Sequence, residues 1–394
     1  MSMNKSERLV NVIKKDRRVI IGLMSGMSMD GIDLAMVEIN GKFPDLDIKL
    51  LDDFYLPYSL EMKKELRQIV SGDFSSVSKM NFKVGKAFAD AVNTFIRDRK
   101  IDPQSIDAIG SHGQTVFHET GSNVSTPSTL QIGSGSVIAE LTGIITVHNF
   151  RERDIAAGGN AAPLVPLVDW LLFREKGSVV ACNNLGSISN VTVVTQEIEG
   201  VFAFDTGPAN MQADYFSSLV PGDTYGYDHD GLYSKKGKVL PELLNEFLKH
   251  PYFLLPPPKA LGFQQFGAIA TEKVIKGKCD NFLPEDLVMT AIEIAARTLV
   301  NAYTDFVLPK VPSLDKIYFS GGGAKNPTLM NRIRELLPDG VQALTLTDKN
   351  INYSDSKEAL AFAVLAGELL SGRCGNIPSV TGASHACVLG DISI

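Results

Sequence analysis

Cysteine is scarce in this chain. Cys182, Cys279, Cys374 and Cys387 are the only four. They show no CxxC spacing, so neither a disulfide framework nor a zinc site is implied, and a reducing cytoplasm fits. The six histidines are equally dispersed. No apolar run is long enough to cross a bilayer, and no membrane partner is expected. A basic excess is missing as well. The net charge of −7 favours solubility and argues against non-specific nucleic-acid binding, so no nucleic-acid partner is expected either. Basic residues do gather at the start (Lys5, Arg8, Lys14, Lys15, Arg17, Arg18). No long apolar segment follows them, so they read as a solvated extension rather than a signal peptide or anchor. Finally, no Gly-Lys-Ser/Thr opens a helix after the first glycine-rich loop, which excludes a Walker A site there.

What is present points to a soluble α/β protein. With 394 residues the chain exceeds the size at which single cores stop growing, so two domains are expected. Hydrophobic residues at 44% and charged residues at 21% are ordinary for a globular chain. The organising stretch is Arg18 to Ile39. It reads as a buried strand (Val19 to Met24), a loop of small residues (Ser25 to Gly31) and a returning strand (Leu34 to Ile39). Such a loop can bring backbone N–H groups close to an anion. Asp30-Gly31 is also a hairpin turn in its own right.

Asp47 to Asp53 can supply a third strand, and Leu60 to Val70 and Ser76 to Arg99 read as helices. In the second helix Met80, Val84, Phe88, Val92 and Phe95 form one apolar stripe. Ile106 to Gly110 is a short strand running into Ser111-His112-Gly113-Gln114-Thr115, a polar cluster where α/β sheets place ligand groups. From Ile144 to Leu167, charged residues (Arg151 to Asp154) meet small ones (Ala156 to Ala162). These suit either close backbone approach or an interdomain connection. Val165 to Phe173 resumes as helix.

From Val179 the plan repeats: strand, Gly/Ser loop, returning strand, then a strand ending in Asp205-Thr-Gly. Two copies of one supersecondary plan suggest a duplicated α/β fold with a cleft between the halves. Tyr225 to Gly231 is turn-rich, and Glu285 to Leu308 reads as one long buried helix. Lys316 to Ser320 is a strand feeding Gly321-Gly-Gly323, with Asn326 capping a helix whose first residue is Pro327. Lys357 to Leu370 is a helix followed by a loose tail.

Several residues are suited to chemistry. Asp205, at a strand's carboxyl end facing a glycine turn, fits a general base, a metal ligand or an Asx-turn residue. The three glycines 321–323 fit a nucleotide-site pattern or a plain βα turn. Asp355 and Glu358 have capping-box spacing, and Glu358 could instead serve magnesium or substrate. His112 and His118 flank Gln114 near Glu119, a set short of the ligands for a recognised metal site and more suited to sugar hydroxyls or satisfied core polar groups.

Taken together, these loops resemble the anhydro-N-acetylmuramic acid kinase family, a branch of the sugar kinase/Hsp70/actin superfamily. The resemblance runs from about Val19 to Ala383. It is carried by Gly22-Leu-Met-Ser-Gly-Met-Ser-Met-Asp-Gly-Ile-Asp33, Gly110-Ser-His-Gly-Gln-Thr115, Phe150 to Leu164, Phe204-Asp-Thr-Gly-Pro-Ala-Asn210, Gly321 to Asn326 and Glu358 to Ala363. It implies an actin-like ATPase fold of two ribonuclease-H-like domains, 1–150 with 371–394 and 151–370, with an ATP and sugar cleft between them. It implies ATP and Mg2+ as cofactors, a small anhydro sugar as partner, and admits a homodimer. ATP-binding residues would be Ser25, Gly26, Met27, Ser28, Met29 and Asp30, then Gly186, Gly207 and Asn210, then Gly321, Gly322, Gly323 and Asn326. Gln114, Asn149, Arg151, Asp154, Asn160 and Glu358 would bind the sugar. Asp205 would be the catalytic base that takes a proton from the attacking water, and Asp205 and Glu358 would lie at the metal.

The implied activity is hydrolytic opening of a 1,6-anhydro sugar coupled to phosphorylation at O6. The substrate would be 1,6-anhydro-N-acetylmuramate, with peptidoglycan recycling as the role. A levoglucosan-type kinase and a non-catalytic nucleotide- or sugar-binding descendant are the alternatives. The sequence departs from the family pattern at several points. Family members usually carry Thr at Met27, Asp at Asn149, Gly at Ser187 and Gly at Ala209. They have Gly-Gln-Gly for Gly159-Asn160-Ala161, and Lys-Ser-Thr-Gly-Arg-Glu for Lys259-Ala-Leu-Gly-Phe-Gln264. A methyl at 209 would be expected to crowd a phosphate loop.

Overall fold

A computed structural model describes residues 4–69, 73–121, 124–276, 282–349 and 356–394. The chain divides into two units, 1–172 with 355–394, and 173–354. The expected boundaries at 150 and 370 therefore shift. The reason is packing: the helix at 357–370 lies on the first sheet, and the loop at 151–161 is tied to the C-terminal segment.

The first unit opens with α1 (Lys5–Ile13), β1 (Arg17–Ser25), β2 (Gly31–Lys42) and β3 (Asp45–Pro57). Next come α2 (Leu60–Ile69), α3 (Phe74–Arg99), β4 (Ala108–Glu119), β5 (Ser128–Ile132), α4 (Gly135–Thr142), β6 (Thr146–His148), α5 (Glu152–Ala156) and α6 (Pro166–Phe173). The second unit holds β7 (Val180–Leu185), β8 (Ile188–Val194), β9 (Phe202–Pro208), α7 (Asn210–Ser217), α8 (Pro241–Leu248), α9 (Phe263–Phe266), α10 (Ala268–Ile275), α11 (Pro284–Ala302), β10 (Lys316–Ser320), α12 (Pro327–Leu336) and β11 (Gln342–Thr345). The chain returns to the first unit as α13 (Lys357–Leu370), α14 (Pro378–Thr381) and β12 (Asp391–Ser393).

The two sheets share one plan. In the first, β1, β2 and β3 are antiparallel neighbours, and β4 then β6 add in parallel on the other side of β1. In the second, β7, β8 and β9 are antiparallel, and β10 then β11 add in parallel beyond β7. Each unit thus carries the three-plus-two strand order expected of the duplicated ribonuclease-H-like fold.

The sequence explains why β1 is central. Ile20, Ile21 and Leu23 are fully buried, as expected of a strand covered on both faces. Ile21 and Leu23 meet the α3 stripe of Val84, Phe88, Val92 and Phe95. Gly22 and Gly110 are register partners on β1 and β4. A Cβ at Gly22 would lie 1.7 Å from the Ala359 carbonyl oxygen, and one at Gly110 would lie 2.2 Å from that of Phe362. The two missing side chains form the groove in which α13 rests.

Several expectations change. The basic N-terminal run is no loose extension: α1 has an Asn4/Glu7 capping box, and the buried Arg18 guanidinium donates to the Val12 and Ile13 carbonyls and to Ser371 Oγ. The polar segment 111–115 lies inside β4, because that strand runs on to pair with β5. The long second-unit helix ends at Ala302 and passes into a π-turn over Tyr303–Val307. The C-terminal tail is ordered: β12 pairs with β6, and Asn376 and Thr381 are buried. Asp355 of the expected capping box lies outside the described residues, and Ser356 is the N-cap of α13. Among the described residues no helix is long and apolar enough to cross a membrane.

Candidate active site

The first unit shapes a loop at the end of β1. Its left-handed residue is Met29, with φ of 54°, rather than Gly31. Met29 N–H donates to the Gly26 carbonyl, and its side chain is buried in the core. The expected Asp30-Gly31 turn is therefore replaced by one over Gly26–Met29. Gly31 is glycine for another reason: a Cβ there would strike the Tyr55 ring at 2.5 Å. Ser25 is buried and donates to Gln114 Oε1 at 2.7 Å, while Gln114 Nε2 donates to the Gly26 carbonyl at 3.1 Å. Gln114 is fully buried and its amide is committed to this loop. Met27 and Ser28 face solvent, and Ser28 Oγ donates to Asp30.

A second group in the same unit joins β4, α5 and α13. Arg151 Nε donates to His112 Nε2 at 3.0 Å, and His112 Nδ1 donates to the Gly113 carbonyl. Burial, then the nearby guanidinium, holds His112 well below the usual histidine range, so it is a neutral acceptor here. That arrangement uses both ring nitrogens and leaves His112 no metal-binding role. Arg151 is itself lowered to about 10 by burial, with Glu358 and Asp154 opposing the shift. Glu358, in the first turn of α13, is solvent-accessible. Desolvation raises its carboxyl, and Arg151 and Lys357 pull the other way.

The Asp154 carboxylate is engaged within the protein. It is fully buried, Oδ1 accepts from Asn376 and Thr381, and Oδ2 accepts from Ala161 N–H at 2.7 Å. It braces the small-residue loop against the C-terminal segment. Asn160 N–H and Nδ2 both donate to the Thr381 carbonyl. Asn149 sits at φ of 58° and donates to Asp391 of β12 at 2.8 Å, so its amide is tied to the sheet edge.

In the second unit Asp205 lies near the carboxyl end of β9. Its N–H donates to the Lys259 carbonyl, and its own carbonyl accepts from Tyr252 OH at 2.7 Å. Leu261 N–H donates to Oδ2 at 2.7 Å, and among the described residues nothing bonds Oδ1. Burial pushes the carboxyl up to about 6, with the Leu261 N–H opposing. Asp205 is therefore held rigidly, ionised at neutral pH, and left with one unengaged oxygen. Lys259 contributes more by packing than by charge pairing: its ammonium lies over the Phe306, Tyr252 and Phe204 rings, 4.3, 4.9 and 5.9 Å from their centroids.

The β9–α7 loop is closed on itself. Ala209 and Met211 N–H groups donate to the Ser187 carbonyl and Asn210 N–H to that of Gly186, so these donors are already engaged. The Ala209 methyl is buried in the second-unit core, so it does not crowd the loop as expected. Gly207 is filled against Thr298, 2.7 Å from where a Cβ would sit. Gly321 (φ of 82°) and Gly323 are packed on Asn184, Leu185 and Asn210. Gly26 in the first unit, and Gly186 and Gly322 in the second, have no neighbour closer than 3.4 Å to an added Cβ. Of the six glycines expected to bind ATP, these three leave room for a ligand to approach the backbone closely.

Asn326 caps α12 as expected, accepting from Thr328 and Leu329 N–H, while its amide donates to Asp228. It also lines a second-unit cavity of about 420 Å³ together with Asn210, Asp214, His229, Gly322 and Lys325. Sequence reading gave no role to Asp214, Tyr227, Asp228 and His229, while Lys325 lies in the 321–326 loop that the resemblance includes. Their signal was the turn-rich 225–231 segment and the four-residue step from Asn210 to Asp214. Burial, then the neighbouring Asp228, raises Asp214 to about 7.

A duplicated α/β chain with glycine-opened loops and one rigid, half-engaged carboxylate defines a class suited to phosphoryl transfer with general-base assistance. The family model described as "Anhydro-N-acetylmuramic acid kinase" matches residues 18–394. An anhydro-N-acetylmuramic acid kinase of Caldanaerobacter subterraneus subsp. tengcongensis is 40% identical over 403 residues, covering 98% of this chain and 100% of that one. Those of Francisella tularensis subsp. novicida and Bacillus cereus are 39% and 38% identical, each covering 95% of this chain and 98% of theirs. The chain belongs to the anhydro-N-acetylmuramic acid kinase family.

Proposed function

We propose that this chain is an ATP-dependent kinase of 1,6-anhydro-N-acetylmuramate. Water attacks carbon 1 and the bond from carbon 1 to O6 breaks. O6 takes the electron pair and attacks the γ-phosphorus, and ADP departs. Asp205 accepts the proton lost by the water. The observation that carries this reading is the Asp205 carboxylate itself, anchored through Oδ2 and unengaged at Oδ1. A base near pH 6 is ionised at neutral pH yet basic enough to help, and such catalysis contributes about 10²–10⁴-fold.

The phosphates are assigned to the open second-unit glycines Gly186 and Gly322, with the adenosine in the cavity beside Gly322. Arg151, Asn160 and Glu358 are assigned to the sugar, with Gln114 and Asp154 supporting the loops that present them. Among the described residues no cluster of three His, Cys, Asp or Glu could hold a metal alone. Magnesium is bound through one or two carboxylates plus substrate phosphates, and Asp205 would be the carboxylate that the second unit supplies. Bound there, magnesium would neutralise charge on the transferred phosphoryl group.

The test is incubation of the protein with ATP, magnesium and the anhydro sugar in labelled water, read by mass spectrometry. The expected product carries one phosphoryl group and one labelled oxygen at carbon 1. A folded protein that binds ATP but yields no such product, with levoglucosan run in parallel, would overturn the assignment.

A further inference from the structure

We infer that Asp214 is the ribose-reading residue of the second-unit cavity, its carboxylate accepting hydrogen bonds from the 2′ and 3′ hydroxyls of the nucleotide. The inference rests on the proposed nucleotide reading and adds a specificity-determining residue to it.

Three aspartates line the cavity: Asp214, Asp228 and Asp230. Asp228 has no capacity left. Oδ1 accepts from Tyr233 and Ser234 N–H, and Oδ2 from Ser234 Oγ and Asn326 Nδ2, which fills the four acceptor positions of a carboxylate. Asp230 is turned to solvent, with 73% of its side chain exposed, and lies beside His229. Asp214 is half-buried, and among the described residues no hydrogen bond or ion pair engages its carboxylate. A half-buried carboxylate without donors is costly to keep, and a ligand with two adjacent hydroxyl donors would satisfy it.

Position along α7 selects the ribose over the base. The helix begins at Asn210, whose backbone is fastened to the Gly186 turn where the phosphates are assigned. Asp214 is four residues on, about 6 Å along the axis and on the same face. That is the spacing from a phosphate group to the sugar, whereas the base lies further out. The base is left the flat surface of Gly322 and the aromatic edge made by Tyr227 and His229, whose rings lie 5.7 Å apart.

The test compares ATP, 2′-deoxy-ATP, 3′-deoxy-ATP and inorganic tripolyphosphate by calorimetry, on the wild type, Asp214→Asn and Asp214→Ala, at about pH 8 so that the carboxylate is ionised. In the wild type each deoxynucleotide should bind about tenfold more weakly than ATP, the loss expected for one hydrogen bond to a charged acceptor. In Asp214→Ala that gap should close to within about twofold, while tripolyphosphate binds as before. If the wild type binds ATP and both deoxynucleotides equally, the ribose assignment is overturned and the nucleotide reading stands. If Asp214→Ala weakens ATP, deoxynucleotides and tripolyphosphate alike, Asp214 is structural and the inference is also overturned. If the wild type binds no adenine nucleotide, the underlying reading itself fails.

Discussion

Replacing two glycines by alanine should have opposite consequences. At Gly22 the new Cβ would lie 1.7 Å from the Ala359 carbonyl oxygen and 2.9 Å from Ala363 N. Non-bonded heavy atoms rest at roughly 3.5 Å, so α13 would have to retreat by well over 1 Å. Both neighbours are backbone atoms of a helix whose residues Leu360, Ala361 and Ala363 are fully buried, so no flexible side chain can yield. Overpacking typically costs about 1–3 kcal/mol, and this site should reach about 3 kcal/mol or more. At Gly322 the nearest atom to an added Cβ is Asn210 Nδ2 at 3.8 Å. Gly322→Ala should therefore fold within about 0.5 kcal/mol of the wild type, as surface substitutions do. Its methyl would stand where the nucleotide is assigned, and should weaken ATP binding about tenfold or more, the equivalent of 1.4 kcal/mol of steric cost. Circular dichroism melts and calorimetry with ATP measure the two effects. Wild-type stability in Gly22→Ala would refute the packing argument, and wild-type ATP affinity in Gly322→Ala would refute the open-glycine argument.

Other outcomes follow from the same geometry. Asp205 has a folded-state pKa raised by burial to about 6, so it ionises later in the folded than in the unfolded chain. The stability it allows is complete below about pH 4 and is lost as pH rises through about 6, so Asp205→Asn should be more stable than wild type by roughly 2–3 kcal/mol above pH 6.5 and not below pH 4. A pH series of unfolding midpoints that shows no such divergence would contradict the burial argument. Asp154→Ala should cost about 2–4 kcal/mol, because it orphans the Ala161 N–H, the Asn376 amide and the Thr381 hydroxyl, all in buried surroundings. An unchanged melting temperature would rule out its bracing role. Ala161 is held at φ of 58° where the family pattern has glycine, so Ala161→Gly should stabilise by about 1 kcal/mol; a destabilised variant would show that the lost methyl contact outweighs the strain.

Much of this was legible in the sequence because local chemistry and global fold agree there. The α3 stripe, the Asn326 cap with Pro327 behind it, and β10 at Lys316–Ser320 follow from periodicity and cap chemistry, and the structure reproduces them. The family was legible because six loops occur in order with their spacings. What escaped was set by partners distant in sequence. Nothing local to Gln114 shows that it serves Ser25 and Gly26, and nothing local to Asp154 shows that Asn376 and Thr381 will bury it. The tail reads as loose in the sequence because three-residue β12 gains its pairing from β6, 243 positions earlier at Asp391 and His148. Asp214 escaped because one turn of helix, rather than a motif, brings it to the cavity.

The claim on which the account turns is that Asp205 takes the proton from the attacking water. Single-turnover phosphorylation of 1,6-anhydro-N-acetylmuramate by Asp205→Asn, with ATP binding measured on the same sample, tests it most directly. The account predicts a folded variant with wild-type ATP affinity and a rate lower by about 10²–10⁴-fold. A variant that phosphorylates the sugar at the wild-type rate would contradict it.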